Sequence, residues 1–233
     1  TAFRDEMRLS AANSINWARV MAQIVYYFHA AVSLGGPDRP VSFAVPTGNF
    51  GNVYAGYAAR AMGLPIERFI VGSNVNDILP RFFDSGTLEM AKVMPTISPS
   101  MDIQVSSNFE RFLFELYGWD GTVVSQNMTE FRKTGTLSID NNLWESARER
   151  FDGFRLDDAE TKAVIGEVHA ASGYLLDPHS AIGVAAARTK AGAPATPVVS
   201  LATAHPAKFP DAVEEASGLR PALPSALADL LDR

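Results

Sequence analysis

The chain lacks cysteine altogether across its 233 residues. Disulfides, thiolate metal sites and cysteine nucleophiles are thereby excluded, and a cytosolic, cytoplasmic setting is favoured. Histidine is scarce: His29, His169, His179 and His205 are scattered with no His-x-x-x-His pair, which argues against a zinc site. No apolar run approaches the roughly 20 residues that span a bilayer. The start, Thr1-Ala-Phe-Arg-Asp-Glu, is charged and no apolar signal-peptide core follows it. Clusters of Lys and Arg are missing as well. With a net charge of −6, neither nucleic acid nor an anionic membrane is an expected partner. Internal repeats and low-complexity tracts are also absent.

What is present fits an ordinary globular protein, 47 % hydrophobic and 20 % charged. It is long enough for one large domain or two small ones. Thr1 stands where an initiator Met is usual, so a processed product or a fragment is expected.

Leu9–Asn13 reads as the end of a strand, and Ser14 or Asn13 as the cap of a long helix over 15–34. Gly35-Gly36-Pro37 ends that helix. A buried strand at 41–45, a helix at 53–62 and a second strand at 69–73 make a βαβ unit, which implies parallel pairing. Asn76-Asp77 reads as the cap of a helix over 78–83, with residues 86–107 an irregular surface loop. Asn108 is expected to cap a helix over 109–117. Polar helices are expected near 125–133 and 142–151. Asp157-x-x-Glu160 resembles a capping box before a helix running to Ser172. A helix over 179–191, a third buried strand at 198–202 and a helical tail complete the pattern. The alternation predicts an α/β fold, a mostly parallel twisted sheet flanked by helices.

The most informative segment is Pro46-Thr47-Gly48-Asn49-Phe50-Gly51-Asn52, where a strand hands over to a helix. A glycine-rich turn opening a helix exposes backbone N–H groups at the positive end of the helix dipole, a place for phosphate or another small anion. Gly48 and Gly51 suit close approach and unusual φ angles; Thr47, Asn49 and Asn52 offer side-chain donors. No Gly-x-x-x-x-Gly-Lys-Ser/Thr or Gly-x-Gly-x-x-Gly occurs. The turn by itself equally suits an ordinary strand–helix corner. Residues 203–209 follow the third strand and fall at the same carboxyl edge of the sheet, where ligands of such folds bind.

Asn13-Ser-Ile-Asn-Trp-Ala-Arg19, Val45-Pro-Thr-Gly-Asn-Phe-Gly-Asn52, Asn74-Val-Asn-Asp77 and Ser98-Pro-Ser-Met-Asp-Ile103 occur in that order. Ser107-Asn-Phe-Glu-Arg111, Asp177-Pro-His-Ser-Ala181 and Thr203-Ala-His-Pro-Ala-Lys-Phe209 follow. Together they resemble threonine synthase of the bacterial and fungal type, over nearly the whole chain. The resemblance implies a pyridoxal 5'-phosphate enzyme of fold type II, tryptophan-synthase-β-like. Such an enzyme converts O-phospho-L-homoserine and water into L-threonine and phosphate. It also implies that Thr47, Gly48, Asn49, Phe50, Gly51 and Asn52 hold the cofactor phosphate and that Thr203 faces the pyridine nitrogen.

The lysines are Lys92, Lys133, Lys162, Lys190 and Lys208, and none stands in a context like the family's Schiff-base motif. The resemblance places that motif upstream of Asn13. Residues 1–233 are thus expected to form the carboxyl-terminal part: most of the cofactor-binding large domain, with a helical insertion near 119–160. An amino-terminal half with the catalytic lysine is expected elsewhere, as partner. No catalytic residue is expected in this chain, which alone should be inactive.

Asn16 and Arg19 share a helix face, and a role toward substrate or its phosphate is weighed against a helix-end network. Asn74, Asn76 and Asp77 are expected to cap rather than to border a cleft. Asp102 reads as a loop anchor, His179 as a helix-start residue, His205 as a turn former and Lys208 as solvated. Tyr26, Tyr27, Phe28, Phe109, Phe112 and Phe114 read as core. Two alternatives remain open: a β-eliminating dehydratase of the same fold, and a non-catalytic module binding a phosphorylated metabolite.

Overall fold

The structure is a computed structural model that describes residues 6–7, 13–190 and 196–230. The first helix, α1 (Trp17–Ser33), begins later than the sequence suggested because Asn16, not Asn13 or Ser14, caps it: its side chain accepts from Ala18 N–H at 2.9 Å. The strand expected at Leu9–Asn13 lies almost wholly outside the described residues.

Strand β1 (Val41–Pro46) is buried throughout and leads into α2 (Gly51–Ala61). Strand β2 (Ile66–Ser73) returns beside β1 in parallel, which completes the expected βαβ unit. Next come α3 (Ile78–Ser85) and a short β3 (Thr87–Glu89). Beyond a 3₁₀ turn at Pro99–Met101 lie α4 (Phe109–Leu116), α5 (Gly121–Thr134), β4 (Thr136–Ser138) and α6 (Asn141–Arg148). Strand β5 (Phe151–Arg155), α7 (Asp158–Ser172), α8 (Pro178–Lys190), β6 (Val198–Ser200) and α9 (Pro210–Ser217) follow.

The main sheet has the order β5-β2-β1-β6, with all pairs parallel, so the chain is α/β as expected. A side ribbon pairs β3 with β4 antiparallel. Tyr27 of α1 meets Phe43 of β1 with ring centroids 4.7 Å apart, which seats α1 on the sheet. Phe151 stacks on Phe69 and Phe83 at 5.3 and 5.2 Å, so β5 carries a ring at the centre of the core. Such aromatic clusters supply much of a core's apolar burial.

Several expectations are corrected. The helix expected over 142–151 stops at Arg148, and Phe151 opens a strand. Residues 86–107 are not simply a surface loop: Leu88, Ser98, Met101, Gln104 and Ser106 are buried. The strand expected to be buried at 198–202 is shorter, and β6 is only half-buried. The tail is not continuously helical: Gly218 ends α9 in a left-handed turn, and Pro221 and Pro224 follow. Phe114 is 38 % exposed rather than core. The capping box at Asp157 and Glu160 is formed as read. No helix among the described residues is long and apolar enough to cross a membrane.

Candidate functional site

Beyond the carboxyl ends of β1 and β6 opens a cleft of about 710 Å³. One wall is the turn 47–52. Thr47 N–H donates to the Gly72 carbonyl at 2.8 Å, which carries the ladder one step past the strand. The Thr47 hydroxyl donates to Val45 O at 2.5 Å, so its proton is spent inside the turn and the side-chain donor expected there is not free for a ligand.

Gly48 and Gly51 serve close approach rather than unusual φ. A Cβ on Gly48 would lie 2.1 Å from the Ser100 carbonyl oxygen, and one on Gly51 would lie 3.1 Å from the Asn108 amide nitrogen. The left-handed conformation falls instead on Phe50, at φ 60°. Its ring is buried among Phe109, Phe112 and Phe151 at 5.1–6.0 Å, which holds the strained residue in place. No side chain caps α2, so its first N–H groups are left open at the cleft. Open amides and the positive end of the helix dipole there favour an anion.

Asn52 is fixed from α1. Tyr27 donates to the Asn52 backbone carbonyl at 2.8 Å and to its side-chain Oδ1 at 3.1 Å, and Tyr26 also donates to Oδ1. With that oxygen engaged twice, Nδ2 is the donor left for the cleft. Burial pushes the Tyr26 phenol up to about 12. Burial first, and then the Tyr26 neighbour, push Tyr27 well upward. Both therefore stay protonated donors at neutral pH. Tyr27 is core as expected and Tyr26 packs partly buried beside it, and both hydroxyls add polar contacts to that role.

The outer side of the turn is held by the segment before α4. Ser106 Oγ donates to Gly48 O at 3.0 Å and Ser107 Oγ to Asn49 Oδ1 at 3.3 Å. Asn108, fully buried, donates from Nδ2 to Ser14 O at 2.9 Å and to Asn49 O at 3.0 Å. It makes no side-chain cap bond, so it is a brace between three segments and not the plain cap expected.

The opposite wall carries Leu201, Ala202, Thr203, Ala204 and Lys208. Thr203 N–H donates to Ser180 Oγ at 3.1 Å. Along α1, Arg19, Gln23, Tyr26 and Ala30 line the cleft on one helical face. Among the described residues, Arg19 and Lys208 line it and no Asp or Glu does. On a protein of net charge −6, that is a local reversal of sign suited to an anion. No group of three His, Asp or Glu among the described residues could hold a metal ion.

The structure thus brings Thr47, Gly48, Asn49, Phe50, Gly51, Asn52 and Thr203 to one cleft, together with Arg19. Asn16 does not line it; its side chain is engaged as the α1 cap. Lys208 lines the cleft, where solvent alone was expected. His205 fixes the turn after Thr203, its Nδ1 accepting from Ala207 N–H at 3.2 Å. Asn74 and Asn76 do not cap α3. They form a buried network in which both side-chain amides donate to Asp102 Oδ1, at 2.8 and 3.0 Å, and Asn76 also donates to Met94 O at 2.8 Å. Asp77 makes no cap bond and instead pairs with Arg81.

The family model described as threonine synthase, C-terminal, matches residues 180–233. Threonine synthase of Pseudomonas aeruginosa is 55 % identical over 97 % of this chain and 48 % of its own length. A threonine synthase from Brucella melitensis, solved with PLP bound, superposes with a TM-score of 0.94 at 55 % identity, covering 100 % of this chain and 50 % of that one. The yeast threonine synthase structure covers 94 % of this chain and 48 % of its own at 41 % identity, with a TM-score of 0.87. By sequence and by fold, the chain matches the carboxyl-terminal half of threonine synthases. It spans about half the length of the curated relatives it matches.

The threonine-synthase resemblance read from short motifs is therefore met along the whole chain, and so is the expected fold. Reading motifs one at a time missed Tyr26 as a lining residue of the cleft, and Tyr27, Ser106 and Asn108 as residues that hold its 47–52 turn. The signal for Asn108 was its place in Ser107-Asn-Phe-Glu-Arg111. For the tyrosines it was their spacing of seven and eight from Arg19.

Proposed function

We propose that this chain is the carboxyl-terminal part of a threonine synthase and forms the phosphate-binding corner of a pyridoxal 5'-phosphate site. The complete enzyme would convert O-phospho-L-homoserine and water into L-threonine and phosphate. The observation that carries this reading is the uncapped start of α2 at Gly51, facing Thr203 across a cleft lined by Arg19 and Lys208 and by no carboxylate.

The residues present suit such a group. The amides at the start of α2, from Gly48 to Asn52, offer donors to a phosphate dianion, while the Thr47 N–H is held by Gly72 O. Asn52 Nδ2, aimed by Tyr26 and Tyr27, adds a side-chain donor. Thr203 would meet the pyridine nitrogen with a neutral hydroxyl, which does not hold that nitrogen protonated. When bound, the cofactor supplies an electron sink for carbanion chemistry, and the hydroxyl tempers that sink. Arg19 would take the substrate phosphate, and Asn16 fixes the start of the helix that presents it. The covalent link to the cofactor falls to a lysine outside residues 1–233, in an amino-terminal half that completes the site. Such a soluble biosynthetic enzyme belongs in the cytoplasm.

Adding pyridoxal 5'-phosphate to the complete protein tests this. A visible absorbance band should appear, survive Lys208→Ala and vanish when one lysine outside this chain is replaced. Turnover of phosphohomoserine to threonine separates it from a dehydratase. A complete protein that binds phosphate esters but neither develops the band nor turns over would fit a binding module and end the proposal.

A further inference from the structure

A buried cluster at the start of α8 backs the site, and of its members His179 also reaches the cleft lining. Asp177 and His179 expose only 0 % and 5 % of their side chains. Ser180 is buried beside them. Asp177 Oδ1 accepts from His179 N–H and from His179 Nδ1, both at 2.9 Å. Oδ2 accepts from Ser180 N–H at 3.4 Å and from the Ser180 hydroxyl. Capping α8 needs only the two backbone bonds. The two side-chain bonds do something else.

Each ends on a wall of the cleft. His179 Nε2 accepts the Ser100 backbone N–H at 3.3 Å, so Nδ1 carries the ring proton toward Asp177. Ser100 is the residue whose carbonyl closes over Gly48. Ser180 Oγ donates to Asp177 and accepts the Thr203 N–H at 3.1 Å. One carboxylate is therefore joined through two side chains to both sides of the anion corner. Phe209 packs on the His179 ring at 4.8 Å and belongs to the same segment as Thr203.

We propose that Asp177, His179 and Ser180 are positioning residues that set the separation of the two cleft walls. Asp177 acts through His179 on the Ser100 wall over the phosphate turn, and through Ser180 on Thr203. The inference rests on the pyridoxal-phosphate reading for its functional consequence and on the hydrogen bonds alone for the clamp itself. It predicts that the two arms are separable. Loss of the His179 arm should weaken cofactor affinity without altering the bound spectrum. Loss of the Ser180 arm should move Thr203 and shift that spectrum.

The test uses the complete protein, with hydrogen exchange resolved to single amides and titration with pyridoxal 5'-phosphate. His179→Phe keeps the ring contact to Phe209 but removes both hydrogen bonds. It should speed exchange at Ser100 at least tenfold, leave Thr203 unchanged and raise the cofactor Kd about tenfold with an unshifted band. His179→Gln, which can still accept from Ser100, should restore both within about threefold. Ser180→Ala should speed exchange at Thr203 alone and shift the band, with Ser180→Thr restoring it. Asp177→Ala should do both; if it does not fold, the two single variants decide. Equal acceleration at both amides in either single variant, or none in both, overturns the clamp. A wild-type protein that binds no pyridoxal phosphate would end the functional reading, while the exchange pattern would still judge the clamp.

Discussion

Gly48 packs against Ser100 so closely that a single added carbon would sit 2.1 Å from the Ser100 carbonyl oxygen. The obstacle is backbone, which cannot rotate away. Gly48→Ala should therefore push the Pro99–Met101 turn away from the 47–52 turn. We expect a loss of roughly 1–3 kcal/mol in stability, typical of overpacking, and at least a tenfold loss in affinity for inorganic phosphate. A Cβ on Gly51 would meet the end of the Asn108 side chain at 3.1 Å and the Ser14 carbonyl only at 3.5 Å, an ordinary contact, so Gly51→Ala should cost less than half as much. Denaturant midpoints and calorimetric phosphate titration of the complete protein check both. Equal effects of the two substitutions would show that the approach to Ser100 is not what constrains the turn.

The Tyr26–Tyr27–Asn52 contact makes a pH-dependent claim. Burial holds the Tyr26 phenol at about 12, above its ordinary 10.0. A raised folded-state value means the folded protein keeps the proton while the unfolded chain gives it up. The contribution to stability is thus complete below pH 10 and is lost as pH climbs toward 12. Tyr26→Phe should flatten the fall of stability across that window, which alkaline unfolding curves would reveal. Tyr27→Phe, by leaving the Asn52 oxygens short of a buried donor, should cost about 1–2 kcal/mol at neutral pH.

The strand–turn–helix corner at 46–52 was legible because its parts are local. A buried strand, two glycines and an apolar helix are contiguous, and their geometry follows from neighbours in sequence. Strand β5 was not legible. Phe151-Asp-Gly-Phe-Arg155 is short, its alternation is broken by Gly153, and it sits at a sheet edge. Its place is fixed by the stacking of Phe151 on Phe69, a contact that no local pattern encodes. Asn74, Asn76 and Asn108 were read as caps because Asn before a helix usually is one. Their amides are instead committed to partners 18 to 94 residues away. Buried polar groups must find partners, but sequence does not say which. The same limit hid the Asp177 cluster, whose two outward bonds reach Ser100 and Thr203.

Arg19 of α1 and Lys208 beyond β6 both line the cleft, and no described carboxylate offsets them there. Removing either should weaken an anion more than it disturbs the fold, since both residues are exposed. A charge-assisted hydrogen bond contributes about 1.5–3 kcal/mol. Arg19→Ala should accordingly raise the KM for phosphohomoserine by about tenfold or more, with the cofactor band unchanged. The loss should be partly reproduced in the parent protein by high salt. If KM holds and the band shifts instead, Arg19 serves the cofactor and the substrate phosphate lies elsewhere.

One face of α1 lines the cleft and another is buried through Val20, Tyr27 and Ala31. The third presents Trp17, Met21, Val25 and Val32, at 46–67 % exposure. Among the described residues, β5 and β6 each pair on one side only and close neither edge of the sheet. An apolar helical stripe beside open strand edges is a surface that water does not favour. Produced without the rest of the protein, residues 1–233 should therefore self-associate at micromolar concentration. Met21→Glu combined with Val25→Lys breaks the stripe while leaving the cleft face of α1 intact, and should shift the population toward monomer. Sedimentation velocity over a concentration series reads both states. A parent chain that stays monodisperse and unfolds cooperatively would mean that this half is a self-sufficient domain and that nothing needs to cover α1.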